Sequence, residues 1–225
     1  MKFLSDHFEK HTIKVVNLVY FEEVVLEIPE IRWPNLQSAR VETMNKQTGE
    51  RKYQFHWELL GDLQLGRPNL GNTTRLEVYR LMQFCFRDVL EQRYGAEATD
   101  RIFYDSGYLA GREFYQQLIG PQNDLHAMVA KLQAVVKEMG IGILRIEEAD
   151  LEQGRLVLTV SEDLDCSGLP ESGEQLCTYD EGFIAAILES FSGCTFKVKE
   201  VDCWCTGDRT CRFTAQKVAE KTAES

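Results

Sequence analysis

Hydrophobic and polar positions divide the chain into two regions. Residues 12–60 are rich in β-branched and aromatic side chains, and residues 39–59 alternate in polarity around a Gln-Thr-Gly-Glu segment, which is typical of a β-hairpin. The glycine-rich segment 61–72 that follows indicates a loop or a domain boundary. These patterns predict a β-rich N-terminal extension, a larger domain and a flexible tail, at residues 1–70, 71–216 and 217–225.

Beyond residue 73 the hydrophobic period becomes helical and later extended again. Thr74 and Glu77 have the spacing of a capping box and predict a helix that ends near Tyr94 and Gly95. Further helices are predicted at 96–119, at 124–139 and from about Cys177, and strands at 141–149, 154–162, 195–201 and 210–215. This order of elements predicts an α+β fold in which helices pack against an antiparallel sheet.

Length and charge limit the function classes. A chain of 225 residues, of which 44% are hydrophobic, can bury a full core. Its net charge of −11 argues against nucleic acid or an anionic membrane as the main partner, because affinity for phosphates comes mainly from lysine and arginine. The first residues are too charged for a signal peptide, and no apolar stretch approaches a membrane span of about 18 residues. We therefore expect a cytoplasmic location.

The last third of the chain carries the spacing of a metal site. Cys177, Glu200, Cys203 and Cys211 stand in the order C-x22-E-x2-C-x7-C. Zinc binds three or four such ligands in a closed tetrahedron, and clustered cysteines in a reducing compartment are more often metal ligands than disulfides. A disulfide pair and buried free cysteines are the alternatives. Cys205 lies two residues from Cys203, so either of them can be the ligand.

Motifs for catalysis are not found in the sequence. The chain contains no recognisable nucleophile with its base, no phosphate-binding glycine loop and no nicotinamide-binding motif after a strand. A site with three cysteines and one glutamate is filled, which suits a structural ion better than a catalytic one. A binding function is therefore favoured over an enzymatic one.

Three segments resemble the 4-vinyl reductase domain family. These are SGYLAGREFY, CTYDEGFIAAILESFSG and VKEVDCWCTGDRTCRF, within a similarity that covers roughly residues 70–215. The family consists of small-molecule-binding domains that also occur in the sensor region of phenol- and xylene-responsive transcriptional activators. The resemblance implies a structural zinc on Cys177, Glu200, Cys203 and Cys211, beside a buried hydrocarbon pocket, and it favours Cys203 over Cys205 as the ligand.

The predicted pocket lies between the helices at 96–139 and the sheet. Its expected lining is Phe103, Tyr108, His126 and Phe183, with Tyr108 and His126 as the polar minority. The phenol sensors also hold their ligand with a tryptophan on the first hairpin, and the segment GRLVLTVSE has none, so phenol itself is not expected. Gly107 and Gly111 lie one helical turn apart and allow close approach of either another helix or a ligand.

These observations predict a zinc-containing domain that binds a small hydrophobic or aromatic molecule and signals to a partner protein. An aromatic-rich helical region at 74–119 predicts a homodimer. Two other functions fit the same residues. One is an accessory or carrier protein of tetrapyrrole or pigment biosynthesis, and the other is an interaction scaffold without a ligand.

Overall fold

A computed structural model describes residues 53–150 and 153–218 of the chain. Five α-helices are Leu63–Gly66 (α1), Leu76–Tyr94 (α2), Ala96–Phe114 (α3), Leu125–Glu138 (α4) and Thr178–Ser192 (α5). Four strands are Ile143–Asp150 (β1), Arg155–Ser161 (β2), Phe196–Asp202 (β3) and Cys211–Lys217 (β4). The predicted α+β class with an antiparallel sheet is confirmed. The predicted β-rich extension lies almost wholly outside the described residues, and its last part, Trp57–Leu60, forms a single 3-10 turn.

The sheet has the order β1-β2-β4-β3, and all its pairs are antiparallel. Leu158 on β2 faces Phe213 on β4, which in turn faces Glu200 on β3. Side chains that share a register position point to the same face of a sheet. Glu200 is therefore on the apolar core face, and only 1% of it is exposed.

The helices follow the predicted bounds closely, except at the first helical turn of α2. The residue that precedes α2 is Arg75, and it makes no capping hydrogen bond with its side chain. The predicted capping box of Thr74 and Glu77 is therefore wrong, because Thr74 lies one residue too far from the helix and Glu77 accepts a hydrogen bond from Arg75 instead. At its other end α3 continues into one π-helical turn, Tyr115–Ile119.

Helices α3 and α5 pack with their backbones in contact. A β-carbon on Gly107 would lie 1.9 Å from the carbonyl oxygen of Tyr179, and one on Gly182 would lie 2.0 Å from that of Tyr104. Gly111 has a similarly close backbone neighbour on α5. Because such distances exclude any side chain, the glycines at 107 and 111 serve helix packing in this structure. This contact fixes the position of α5.

No helix within the described part of the chain is both long enough and apolar enough to cross a bilayer.

The contact between α3 and α5 predicts a large cost for adding one methyl group at its centre. We expect Gly182→Ala to lower the free energy of unfolding by about 1–3 kcal/mol or more, because the new β-carbon overlaps backbone atoms that cannot move alone. Gly66→Ala is the matched control, since Gly66 is also helical and has open space around it. Urea denaturation of both variants measures the difference. Equal stability of the two variants would show that the helices separate without cost.

Candidate metal centre and adjoining cavities

Four cysteines from distant parts of the sequence meet beneath the sheet. Cys166 lies in the loop after β2, Cys177 precedes α5, Cys203 follows β3, and Cys211 begins β4. All four are fully buried, with 0% exposure. Their sulfur atoms all lie within 4.8 Å of one another. The group, which we call the thiol cluster, therefore has the composition of a closed metal site.

The distances within the thiol cluster fit a metal ion better than a covalent bond. The sulfur of Cys177 is 3.9 Å from that of Cys203 and 3.7 Å from that of Cys211, and the sulfurs of Cys166 and Cys211 are 3.0 Å apart. Four sulfurs at about 2.3 Å from a zinc ion form a tetrahedron with edges of about 3.8 Å. A disulfide would need about 2.05 Å. The thiol cluster can thus hold a metal.

Local hydrogen bonds place the cysteines before any ion is considered. One oxygen of Asp163 accepts from the backbone N–H of Asp165 at 2.8 Å and from that of Cys166 at 3.0 Å, which curls the loop after β2. The backbone N–H of Cys203 donates to the hydroxyl of Thr206, which closes the 3-10 turn Trp204–Thr206. This turn returns the chain to Cys211. The backbone geometry is therefore set by turn chemistry.

Hydrogen bonding among the thiols separates their pKa values. Bonds from Cys166, Cys177 and Cys211 lower the pKa of Cys203. Bonds with Cys166 and Cys203 raise the pKa of Cys177 and of Cys211 well above the usual range. A single thiolate is accordingly favoured in the thiol cluster, and a bound cation would be needed to deprotonate the other three sulfurs.

Three of the four predicted ligands, Cys177, Cys203 and Cys211, lie in the thiol cluster. The fourth thiol is Cys166, which the sequence analysis did not select. Glu200 lies beside the cluster, where one oxygen accepts from the backbone N–H of Cys177 at 3.2 Å. Its other oxygen is buried and has no hydrogen-bond partner among the described residues, and burial raises its pKa to about 8. A ligand role for Glu200 stays a prediction.

Cys205 is buried too, but it does not belong to the thiol cluster. Its carbonyl oxygen accepts hydrogen bonds from the backbone N–H groups of Ser172 and Gly173, and burial raises the pKa of its thiol to about 12. A structural role in holding the loop before α5 follows from these contacts. A sequence signal for Cys166 did exist, because Asp163 stands three residues before it in the spacing of a side-chain-capped turn.

The thiol cluster lies within one stretch of sequence that matches a family model over residues 156–217. That stretch matches the 4-vinyl reductase domain. The match begins in β2, ends in β4 and includes all four clustered cysteines. It confirms the resemblance that the sequence motifs indicated.

Similar proteins extend the match beyond these residues. Uncharacterized protein MJ0150 of Methanocaldococcus jannaschii is 28% identical over 152 residues, which are 68% of this chain and 80% of that protein. A vinyl-4-reductase family protein from the same organism is 20% identical, with a TM-score of 0.49 over 66% of this chain and 85% of that one. Trafficking protein particle complex subunit 3 from Naegleria fowleri, covalently bound to palmitic acid, is 14% identical, with a TM-score of 0.52 over 64% of this chain and 95% of that one. The last likeness is one of fold.

Two cavities adjoin the thiol cluster on the helical side of the sheet. The smaller, about 50 Å³, lies between α4, α5 and the sheet and is lined almost entirely by aliphatic side chains such as Met128, Leu156 and Ile187. The larger, about 300 Å³, lies under the segment that contains Trp57. Three residues line both cavities, namely Ile141, Asp180 and Phe183.

The predicted pocket residues are spread over different places. Phe183 lines both cavities. Phe103 is buried and lies instead beside a surface groove between α2 and α3, with the guanidinium of Arg87 over its ring. Tyr108 and His126 line neither cavity, and His126 is exposed on α4. The polar residues beside the cavities are mainly aspartates, which the sequence analysis did not select.

The thiol cluster predicts which cysteine substitutions change metal content. We expect Cys166→Ser to reduce bound metal to well below one ion per chain, because it removes a sulfur from a filled site. Cys205→Ser is the matched control, since Cys205 is equally buried but lies outside the cluster, and it should retain the wild-type content. Elemental analysis of purified protein measures both. Full metal content in Cys166→Ser would exclude Cys166 as a ligand.

Proposed function

We propose that this domain holds a structural zinc ion, binds a small and largely apolar molecule next to it, and signals the bound state to a partner protein. The observation that carries the proposal is the position of α5. This helix begins directly after Cys177 of the thiol cluster and lines both cavities with Phe183. One rigid element therefore joins the metal centre to the ligand site.

Zinc is the metal that the donor set favours. Four thiolates in a closed, buried group are typical of structural zinc, and they leave no position for water. Zinc bound there would contribute folding free energy and connect the loop after β2 to α5 and to the hairpin of β3 and β4. We therefore assign it a structural role.

The cavities have the size and lining for a small hydrophobic ligand. An apolar cavity of about 150 Å³ accommodates benzene in another protein, so the larger cavity here has room for a single aromatic ring with a short side chain. Its walls include Phe114, Tyr179 and Phe183, and the ring of Phe183 lies 5.0 Å from that of Phe114 and 6.4 Å from that of Tyr179 between centroids. A ligand between these rings would order α5 and the segment around Trp57 together.

Signalling requires a surface that a partner can contact, and α2 offers one. Its outer side carries large hydrophobic residues with 43–69% of their surface exposed, namely Val78, Leu81, Met82, Phe86 and Val89. Such a patch is commonly an interface. We propose that it pairs with a second copy of this chain, so that ligand-dependent changes in α5 reach the dimer through α3.

The ligand proposal predicts that small aromatic compounds stabilise the protein. We expect ethylbenzene at saturation to raise the melting temperature, because a molecule that binds only the folded state shifts the unfolding equilibrium. Ala110→Leu should abolish the shift by filling the larger cavity, which Ala110 lines. Ala130→Leu, on an exposed position of α4, is the matched control and should keep it.

Thermal melting with a panel of hydrocarbons measures these effects. Palmitic acid belongs in the panel, because a protein of similar fold binds it. Absence of a shift with every compound would favour the scaffold function instead.

The dimer proposal predicts a mass near twice 25.9 kDa at micromolar concentration. Leu81→Glu should shift the mass towards that of the monomer, because it places a charge in the centre of the apolar patch. Val201→Glu, which introduces the same charge at an exposed residue on the edge strand β3, should leave the dimer intact. Light scattering coupled to gel filtration distinguishes the two. A wild-type monomer at these concentrations would contradict the proposal.

A further inference from the structure

We propose that the larger cavity binds a protonated organic amine, whose ammonium group contacts the carboxylates of Asp165 and Asp180 while its hydrocarbon body lies against the aromatic walls. This inference rests on the proposed function, because it concerns the same cavity, and it names the class of ligand. Three features of the cavity support it, which are the buried carboxylates, the charge around them and the aromatic lining.

Both aspartates carry an oxygen that the protein leaves without a partner. Asp165 is 5% exposed, and its Oδ1 accepts a hydrogen bond from the hydroxyl of Tyr79 at 2.7 Å. Its Oδ2 is buried and accepts no hydrogen bond from the described residues, and the same holds for Oδ2 of Asp180. Both residues line the larger cavity. Because an unpaired buried acceptor costs about 1–3 kcal/mol, such a pair indicates a donor that arrives with the ligand.

The charge around the cavity is negative on every side. Asp163 lies behind Asp180, and the carboxyl groups of these two residues are within 4.8 Å of each other. Glu113 lines the opposite wall, where it accepts from the backbone N–H of Trp57 at 3.3 Å. Four thiolates around one zinc ion would add two further net negative charges close to Cys177. The cavity therefore lies in a negative potential.

Cationic side chains do not neutralise this potential from within the cavity. Its lining contains no lysine or arginine among the described residues. The guanidinium of Arg80 donates to the backbone carbonyl oxygens of Leu164 at 2.9 Å and of Ser167 at 2.8 Å. It is thus held by the loop, although its charge still lowers the pKa of Asp165 against the larger effect of burial. A cation supplied by the ligand would complete the charge balance.

The walls of the larger cavity suit the same kind of ligand. They are formed largely by aromatic rings, namely those of Phe55, Trp57, Tyr79, Phe114, Tyr179 and Phe183. The face of an aromatic ring attracts a cation, and its edge and face pack well against a hydrocarbon. Carboxylate oxygens that need a hydrogen-bond donor favour a primary ammonium over a quaternary one, because only the former has N–H groups.

The inference predicts a preference among three ligands of nearly equal shape. Titration calorimetry at pH 7 with the metal-loaded wild-type protein compares 2-phenylethylamine, 2-phenylethanol and ethylbenzene. We expect the amine to bind about tenfold or more tightly than the alcohol, since charge-assisted hydrogen bonds to buried carboxylates exceed those of a neutral hydroxyl. Binding of the amine no tighter than that of the alcohol would overturn the inference.

Variants locate the preference in the cavity. Asp180→Asn should remove most of the preference for the amine and leave the affinity for ethylbenzene unchanged, because it keeps the shape and removes the charge. Asp165→Asn provides a second removal of charge, and Glu97→Gln, an exposed carboxylate with 86% of its side chain accessible, is the control. Metal content is measured in each variant, so that loss of the centre is not mistaken for loss of the ligand.

The outcomes separate the two proposals. Binding of ethylbenzene without a preference for the amine would overturn the amine site and keep the proposed function. Absence of binding by all three compounds would overturn both. A preference that survives in Asp180→Asn and in Asp165→Asn alike would overturn the assignment to these carboxylates.

Discussion

The structure depends on the convergence of four cysteine sulfurs in a space from which water is excluded. Cys166, Cys177, Cys203 and Cys211 are separated by up to 45 residues, yet their sulfurs lie within 4.8 Å of one another with 0% exposure. Thiolates packed so closely repel one another in a medium of low dielectric. A single dication removes that repulsion and joins a loop, the start of a helix and both strands of a hairpin, so the geometry of the C-terminal half follows from one site.

Helix α5 transmits this constraint to the rest of the domain. Its first turn is fixed by Cys177, and its middle is fixed by backbone contact with α3 at Gly182. Along this stretch it presents Asp180 and Phe183 to the cavities. A ligand in the cavities thus contacts an element that is already held in place, and its effect would pass to α3 and then to the exposed apolar side of α2.

The sequence allowed most of the fold to be predicted, because long helices and alternating strands leave a strong period. The bounds of α4, β2 and β4 differ from the predicted ones by two residues or fewer. The first turn of α2 could not be predicted, since Thr74 and Arg75 both precede an apolar run and only the backbone decides which is the cap.

The site was predictable only in part, for a reason that lies in its long-range contacts. Short spacings relate Cys203 to Cys211, whereas Cys166 joins them only through the pairing of β2 with β4. Asp165 and Asp180 appear in the sequence as ordinary surface acids, and only the packing of α5 over the loop after β2 buries them. His126 was selected by its apolar neighbours but lies on the exposed side of α4.

The most direct test of the account is the coordination of the proposed metal in the purified protein. X-ray absorption spectroscopy at the zinc edge counts the sulfur and oxygen neighbours and gives their distances. The account predicts four sulfur neighbours at about 2.3 Å and no oxygen neighbour. Three sulfurs with one oxygen neighbour at about 2.0–2.2 Å would place Glu200 in the coordination sphere, and absence of zinc in protein prepared without chelators would contradict the metal centre itself.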